Sequence, residues 1–419
     1  MEAEEQGDAI WWAGRNTVRG APFDYYHKDS PAFRKLEAFD HLSLRVKQIA
    51  SGHDHILVLS EDGEVYGLGF NSDGRLGNCK NDRDVATAVK ATGLEGHKIV
   101  DISAGMYHSL ALTDKGQVFA FGSNTNGKLG LPTNGLTNVG LTPTLIPTLQ
   151  DIPVVQIGAA NDYSVFLTDK GQIYQCGMCG GVSSTIPVPI KPQPPCKFIA
   201  LAKGHNHYLA LSDDGRVYGL ASDKQLLGQG ARQNILHPIP VCQKINATKI
   251  VAGGDHSLIV TGLPPWTIET HRTFPADFRQ AVRTILGMAL LNPTTAAPRH
   301  PESFWWMLPM ELIHLIVEFL ASDLTYNELY SLHRTEGLVL LPPFVKNNRN
   351  VIKELGSTYS CNIALTARNE VWTWGHGSFG ETASPYSLMG KPTPHWEEEH
   401  PNAKVKHVFA GYYRVFAVV

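Results

Sequence analysis

Two sets of residues in this chain have types and spacings suited to chemistry. Cys176-x-x-Cys179 is a spacing used by structural zinc sites and by thiol redox sites. His55, His108, His207 and His256 each follow a glycine by three positions, after Gly52, Gly105, Gly204 and Gly253. A structural zinc needs two ligands beyond the cysteine pair, and no second pair stands at finger spacing, so Cys196, Cys242 and His205 would have to converge. The two cysteines fall at a strand end and turn, where small residues fit, and neither a metal nor a cofactor is expected. Four equivalent histidines are more than one catalytic centre uses. A recurrent imidazole in a recurrent corner is most simply a buried group bonded to the backbone of its own or the next unit. The sequence has no Walker loop, no Gly-x-Ser-x-Gly elbow and no His-Glu-x-x-His, so the expectation is a protein that is not an enzyme.

The histidines belong to an internal repeat, the first thing to seek in a Gly-rich chain. Each unit has a short apolar strand, a Gly-x-x-His corner, an alternating strand, an Asp-Gly-type turn and a strand ending in Gly. The clearest copies run from Ile49 to Gly77 and from Ile102 to Gly130. Taking the corner position as a marker gives Gly52, Gly105, Ala160, Gly204, Gly253, Thr358 and Gly411, at spacings of 53, 55, 44, 49, 105 and 53 residues. Period-two alternation predicts half-buried strands. Glu61-Asp62-Gly63, Asp114-Lys115-Gly116, Asp169-Lys170-Gly171 and Asp213-Asp214-Gly215 supply the residues that tight hairpins require. Each unit is therefore a small antiparallel sheet of about four strands. One such sheet cannot bury both its faces, and a radial ring of them does. The last unit, from His407, stops after its inner half, and the N-terminus opens with an orphan outer half, Ile10 to Asn16, matching Val65 to Asn71. The fold class expected is all-β: a seven-bladed β-propeller closed by its N- and C-terminal strands, with a small α-helical insertion in the fifth repeat.

These residues resemble the regulator-of-chromosome-condensation (RCC1) repeat family, whose type member is a nucleotide exchange factor for the small GTPase Ran. The signature is Gly-x-x-His-(Ser)-x-Ala-Leu followed by Asp-Gly-x-Val-(Tyr/Phe)-x-x-Gly-x-Asn-x-x-Gly-x-Leu-Gly, and it covers the chain outside about 263–350. The resemblance implies that acidic and His residues of the corners meet a GTPase, with Asp162, in the segment Ile152 to Tyr174, on a functional aspartate. The family's GTPase wedge is a protruding hairpin before that aspartate. Here the corresponding turn, Gly122 to Gly130, has ordinary repeat length.

The doubled interval marks the insertion, 263–350, between propeller parts 1–262 and 351–419. Trp266 to Thr270 alternates and is assigned as the third strand of the fifth unit, and Pro342 to Val345 as its last. Between them the period turns helical: Phe274, Phe278, Val282, Ile285 and Ala289 form one stripe. A second helix starts near Pro309 with Leu312, Ile313, Ile316, Phe319 and Leu320. A third starts at the capping-box pattern Thr325-x-x-Glu328. Leu308, Pro309, Leu312 and Ile316 are similar to the start of an F-box, a family that binds the Skp adaptor of cullin ubiquitin ligases, and are the candidate contact of the insertion. An apolar stripe that packs on the propeller explains the same residues. Burial between the helices does the same for Phe304-Trp305-Trp306.

Composition narrows the partner. With 36 basic against 39 acidic residues and a net charge of −3, the chain has no Lys/Arg cluster for a phosphate backbone, so no nucleic acid is expected. The start MEAEEQGDA lacks the form of a secretory signal. No apolar run reaches the ~18 residues that span a bilayer. Six cysteines are too sparse for a disulfide scaffold. A soluble monomer of the cytoplasm or nucleus is expected. Repeat symmetry places the third corner residues, Asp54, Tyr107, Asp162, Asn206, Asp255, Ser360 and Tyr413, at one mouth of the central channel, and loops sharing one face of a rigid scaffold are where binding usually sits. A protein-binding scaffold is the function expected of that mouth, with exchange of nucleotide on a Ran-like GTPase and cullin-ligase adaptation as alternatives.

Overall fold

A computed structural model describes residues 7–14, 30–80, 84–132, 139–222, 235–239, 242, 247–254, 256–263, 280, 282, 326–333, 337–340, 352–359, 361–375, 393–394 and 404–419. Among these residues the architecture is an all-β propeller. The first repeat shows the pattern: an inner strand Val46–Ser51, then His55–Ser60, Val65–Phe70 and the outer strand Asp84–Lys90, hydrogen-bonded in that order. The inner strands of the following repeats are Ile99–Ala104, Val154–Ala159, Phe198–Lys203, Ala247–Ala252, Ile352–Ser357 and His407–Gly411.

The strands make six hydrogen-bonded sheets, five of four strands and one of eight, rather than seven separate sheets. In the large sheet the third and fourth repeats run together. The outer strand of the third repeat, Val182–Pro192, has 11 residues and outruns its own partner. Its tail pairs in parallel with Ile235–Pro238, through Lys191 with Ile235 and Pro192 with Leu236.

The second strand of each repeat shows why the sheets need one another. His55–Ser60 is buried along its whole length. Ile56 and Val58 join the apolar cluster shared with the terminal strands, while Leu57 and Leu59 join the cluster shared with the second repeat. Period two thus sends alternate side chains into two different cores. The expectation of half-buried strands is corrected here: both faces are covered. Seven apolar clusters, each between neighbouring repeats, run round the described residues.

The termini meet as the orphan halves require. Ile10–Gly14 pairs antiparallel with Arg414–Val418, from Ile10 opposite Val418 to Gly14 opposite Arg414, and Ser30–Lys35 completes that sheet on the outside. Ala9 and Val419 exchange backbone hydrogen bonds. Asp8 carries the join further, since one carboxylate oxygen binds Lys406 and the other accepts from the Val46 N–H at 2.7 Å.

The helical insertion is not borne out. The segment given to a third helix is a strand, Tyr326–His333, paired with His256–Leu263 along its length, and Gly337–Leu340 follows as the outer strand. These two strands, not Trp266 to Thr270 and Pro342 to Val345, complete the fifth repeat. Pairing with an edge of eight residues overrides a capping pattern that carries only local information. Among the described residues, α-helical backbone occurs only at Gln280 and Val282. The F-box-like positions Leu308, Pro309, Leu312 and Ile316, and Phe304 to Trp306, lie outside the described residues.

Phe416 is fully buried where the termini close, among Ile10, Trp12 and Ile49. Phe416→Ala is expected to cost about 3–5 kcal/mol, read as a lower urea midpoint. A change below about 1 kcal/mol would show that this junction does not hold the ring shut.

Candidate functional site

The corner histidines are inter-repeat latches. His55 Nε2 lies 3.0 Å from Ser109 Oγ, His108 Nε2 2.8 Å from Ser164 Oγ and His207 Nε2 2.8 Å from Ser257 Oγ, each serine belonging to the next repeat. Ser109 donates its own proton to Arg75 O and Ser164 to Lys128 O. The serine oxygen must therefore accept from the imidazole, which assigns the proton of His55 and His108 to Nε2. The partner is a side-chain hydroxyl, not the backbone expected from the sequence.

The glycine of the motif has a steric cause. A Cβ on Gly105 would sit 2.6 Å from His108 Cε1 and also strike the carbonyl of Ala160, and Gly52, Gly204 and Gly253 face their own imidazoles in the same way. The imidazole occupies the space a Cβ would need. The exceptions obey the same rule. Ala160 replaces glycine where Tyr163 replaces histidine, and the Tyr163 hydroxyl reaches over to Gly204 O and His207 O. In the last repeat Arg414, fully buried, closes the circle on Ser51 Oγ (3.1 Å), Gly52 O and His53 O.

A second latch, four residues before four of the corners, was not legible in the repeat. Gln48 holds Ile102 by both its N–H (3.0 Å) and its carbonyl, and Gln156 holds Leu201 likewise. Glu354 accepts from the Val408 N–H. Asp101 takes the same position. Burial raises its pKa, against hydrogen bonds from Gln48, Ile157 and Ile102.

With the corners fixed, the mouth takes a defined form. The third corner residues divide. Asp54 pairs with His53 Nδ1 at 2.8 Å. Burial pushes the Asp54 carboxyl up, but His53, Arg414 and Arg75 outweigh it and hold the pKa below its usual value. Asp162 meets Lys128 Nζ at 3.0 Å and Asn126 at 3.3 Å. Lys128 is only 1% exposed, whereas Asp162 is 44% exposed. Tyr107 lies between two cations, with Arg75 5.1 Å and Lys128 5.5 Å from its ring centroid. Asn206 turns its amide to His205 Nδ1. Tyr413 meets His53 edge to face at 5.6 Å. Asp255 and Ser360 lie outside the described residues.

The second corner residues, overlooked in the sequence, make the centre. His53 contacts Tyr412 at 5.8 Å edge to face, and His205 contacts both Tyr359 and Tyr412 at 5.3 Å. Tyr412 donates to Asn161 Oδ1. The signal was available, since His53, His205, Tyr359 and Tyr412 share one repeat position. Below these rings runs a cavity of about 330 Å³, lined by the inner strands. Lys203 reaches from its wall to Ala104 O at 2.8 Å, and burial lowers its pKa to about 8.

Cys176 and Cys179 are three residues apart on a strand, so they face opposite sides. Cys176 packs between the second and third repeats and Cys179 between the third and fourth. Burial raises both thiols to about 12. Two buried thiols aimed into different cores do not form one metal site.

Residues 62–112 and 115–167 match the regulator of chromosome condensation (RCC1) repeat. Human HERC2, an E3 ubiquitin-protein ligase, is 33% identical over 190 residues, which are 43% of this chain and 4% of HERC2. The ultraviolet-B receptor UVR8 of Arabidopsis thaliana is 28% identical, over 56% of this chain and 54% of UVR8. RUG3, a mitochondrial RCC1 domain-containing protein of the same plant, is 27% identical over 62% of each chain. The matched region thus spans less than two thirds of each of these relatives. Among solved structures, human WBSCR16 superposes with a TM-score of 0.70 at 17% identity, over 99% of both chains. Yeast RCC1 (Prp20), bound to Kap60, superposes with a TM-score of 0.67 at 17% identity, over 99% of this chain and 89% of Prp20. The chain carries RCC1 repeats and has the fold of an RCC1-like β-propeller.

Two predictions follow from the latches. Gly105→Ala forces the His108 imidazole off its seat and is expected to destabilise by about 1–3 kcal/mol or more, read by urea unfolding. An unaffected midpoint would refute the steric role of the bare Cα. The second concerns pH. Burial, aided by neighbouring cations, holds His55 and His108 well below the ordinary imidazole range, and burial lowers His207 to about 3. These rings stay neutral in the fold, whereas in the unfolded chain they take up protons below about pH 6.5. The unfolded state then binds more protons, so stability falls as pH drops through that value toward about 3. Calorimetric Tm should fall on acidification and fall less steeply in His108→Gln. Equal slopes would remove the imidazoles as the source.

Proposed function

We propose that this chain is a non-catalytic propeller scaffold of seven radial blades that binds a protein through its corner face. The observation that carries the reading is the mouth itself. Rings of His53, Tyr107, His205, Tyr359, Tyr412 and Tyr413 gather there over buried Arg75, Lys128 and Arg414, with Asp54 and Asp162 at the surface. Aromatic and arginine-rich centres with a polar surround are where protein interfaces concentrate their binding energy. The latches fix these side chains before a partner arrives, which lowers the entropic cost of association. The seven apolar cores between successive repeats support the blade count. The six cysteines, none of them in a disulfide, suit a reducing compartment, cytoplasm or nucleus.

A second reading is nucleotide exchange on a Ran-like GTPase. It is favoured by Asp162, whose carboxylate is held at the mouth by Lys128 and Asn126, and by the likeness to Prp20, studied for its binding to Gsp1p and histones. The ordinary length of the turn from Gly122 to Gly130 weighs against it.

Affinity purification of the full chain beside Tyr413→Ala and Asp162→Asn separates the two. The scaffold reading expects protein partners lost by at least about tenfold from the Tyr413→Ala eluate and no acceleration of nucleotide release across a panel of small GTPases. Partners retained by both variants would overturn the corner-face reading. Release accelerated by the wild type and lost in Asp162→Asn would establish the exchange reading instead.

A further inference from the structure

The end of the inner strands opposite the corners carries a second ring of side chains. In each of the first six repeats the pairing of the inner strand skips one residue, five positions before the corner. The skipped residues are Lys47, Val100, Val155, Ile199, Thr248 and Lys353, and Lys406 stands at the same distance before Gly411. A β-bulge at a rim re-aims its extra side chain away from the ladder. Six aligned bulges re-aim a whole circle of them toward the face the corners do not use.

The circle is two-sided. Val155 and Ile199, on neighbouring inner strands, are 53% and 57% exposed, and half-buried Val100 precedes them. They account for two of the four exposed large hydrophobic residues among those described, so their alignment on one rim is not scattered surface noise. Further round the ring stand Lys249, which follows the skipped Thr248, then Lys353 and Lys406, all exposed, with Lys47 half-buried beyond them. Lys249 Nζ donates to Lys353 O, and Lys353 Nζ lies 3.4 Å from Lys406 O, so these ammonium groups lean on carbonyls rather than carboxylates. The carboxylates nearby are committed: Asp8 to Lys406 and Val46, and Glu354 to His407 and Val408. The rim is thus apolar on one arc and basic on the other.

We propose that this rim is a second docking surface, distinct from the corner face, for a peptide segment that joins apolar side chains to carboxylates. The Val155–Ile199 arc takes the apolar residues and the Lys249–Lys353 arc takes the acidic ones. Charge complementarity selects an acidic segment, and the exposed Val and Ile exclude a purely polyanionic one. With this ring and the mouth at opposite ends of the inner strands, the propeller holds two partners at once.

The test is fluorescence anisotropy of the full chain against a labelled probe, acetyl-Glu-Glu-Leu-Phe-Glu-Leu-Glu-Glu-amide. Saturable binding is expected, weakening with salt. The double variants V155S/I199S and K249E/K353E are each expected to weaken it by about tenfold or more. A probe with glutamines in place of glutamates should lose the salt dependence. Tyr413→Ala, at the other mouth, should leave binding unchanged, which separates this surface from the corner face. Thermal melts check that the variants remain folded, as expected for exposed positions. Absence of binding up to about 100 μM protein, or either double variant within about twofold of wild type, overturns the proposal. Loss in K249E/K353E alone would mean a simple polyanion site and would overturn it equally.

Discussion

The structure depends on how one sheet is fixed to the next. Apolar burial supplies most of the attraction between repeats, but it has no direction and tolerates sliding. The corner imidazole supplies direction. It lies on the bare Cα of its own glycine and donates to a hydroxyl of the following repeat, which passes its proton to a backbone carbonyl. Each such bond contributes only about 1 kcal/mol net. Leaving a buried partner unsatisfied costs more, so any other phase between neighbours is disfavoured. The substitutions keep the function by other chemistry: Tyr163 spans with a phenol and Arg414 with a guanidinium.

The inner strand carries this constraint at both ends. At the corner the latch is His, Tyr or Arg. Four residues earlier it is Gln48, Asp101, Gln156 or Glu354 on the backbone of the next inner strand. Between the two, small residues such as Gly204, Ala252 and Gly356 leave the axial cavity open. Rigid inner strands make both rims usable. Rings and buried cations converge at one rim, and the aligned bulges present their side chains at the other.

The charge arrangement of the corner mouth illustrates how rigidity shapes recognition. The cationic heads of Arg75, Lys128 and Arg414 are beneath the surface, while Asp162 is 44% exposed. The mouth therefore shows carboxylate and aromatic edges outward, although its formal charges nearly balance. Reading the third corner position by itself suggests a more acidic mouth than the cations of Gly74-Arg75-Leu76-Gly77 and Gly127-Lys128-Leu129-Gly130 allow. Those cations come from a different part of the repeat.

What the sequence determined by itself is what repeats and closes locally. Strand periodicity, Asp-Gly turns, the corner glycines and the complementary ends at Ile10 and Arg414 are each written in a few consecutive residues, and repetition along the chain reinforces the first three. The tertiary structure decided everything that needs two repeats at once. It decided that His108 seeks Ser164, that Cys176 and Cys179 enter different cores, and that His53, Tyr412 and His205 meet. It also turned Tyr326–His333 from an apparent helix into a strand, because pairing along His256–Leu263 outweighs local propensity. Side-chain spacing along one strand is set by the backbone, but the angle and distance between sheets come only from packing the whole circle.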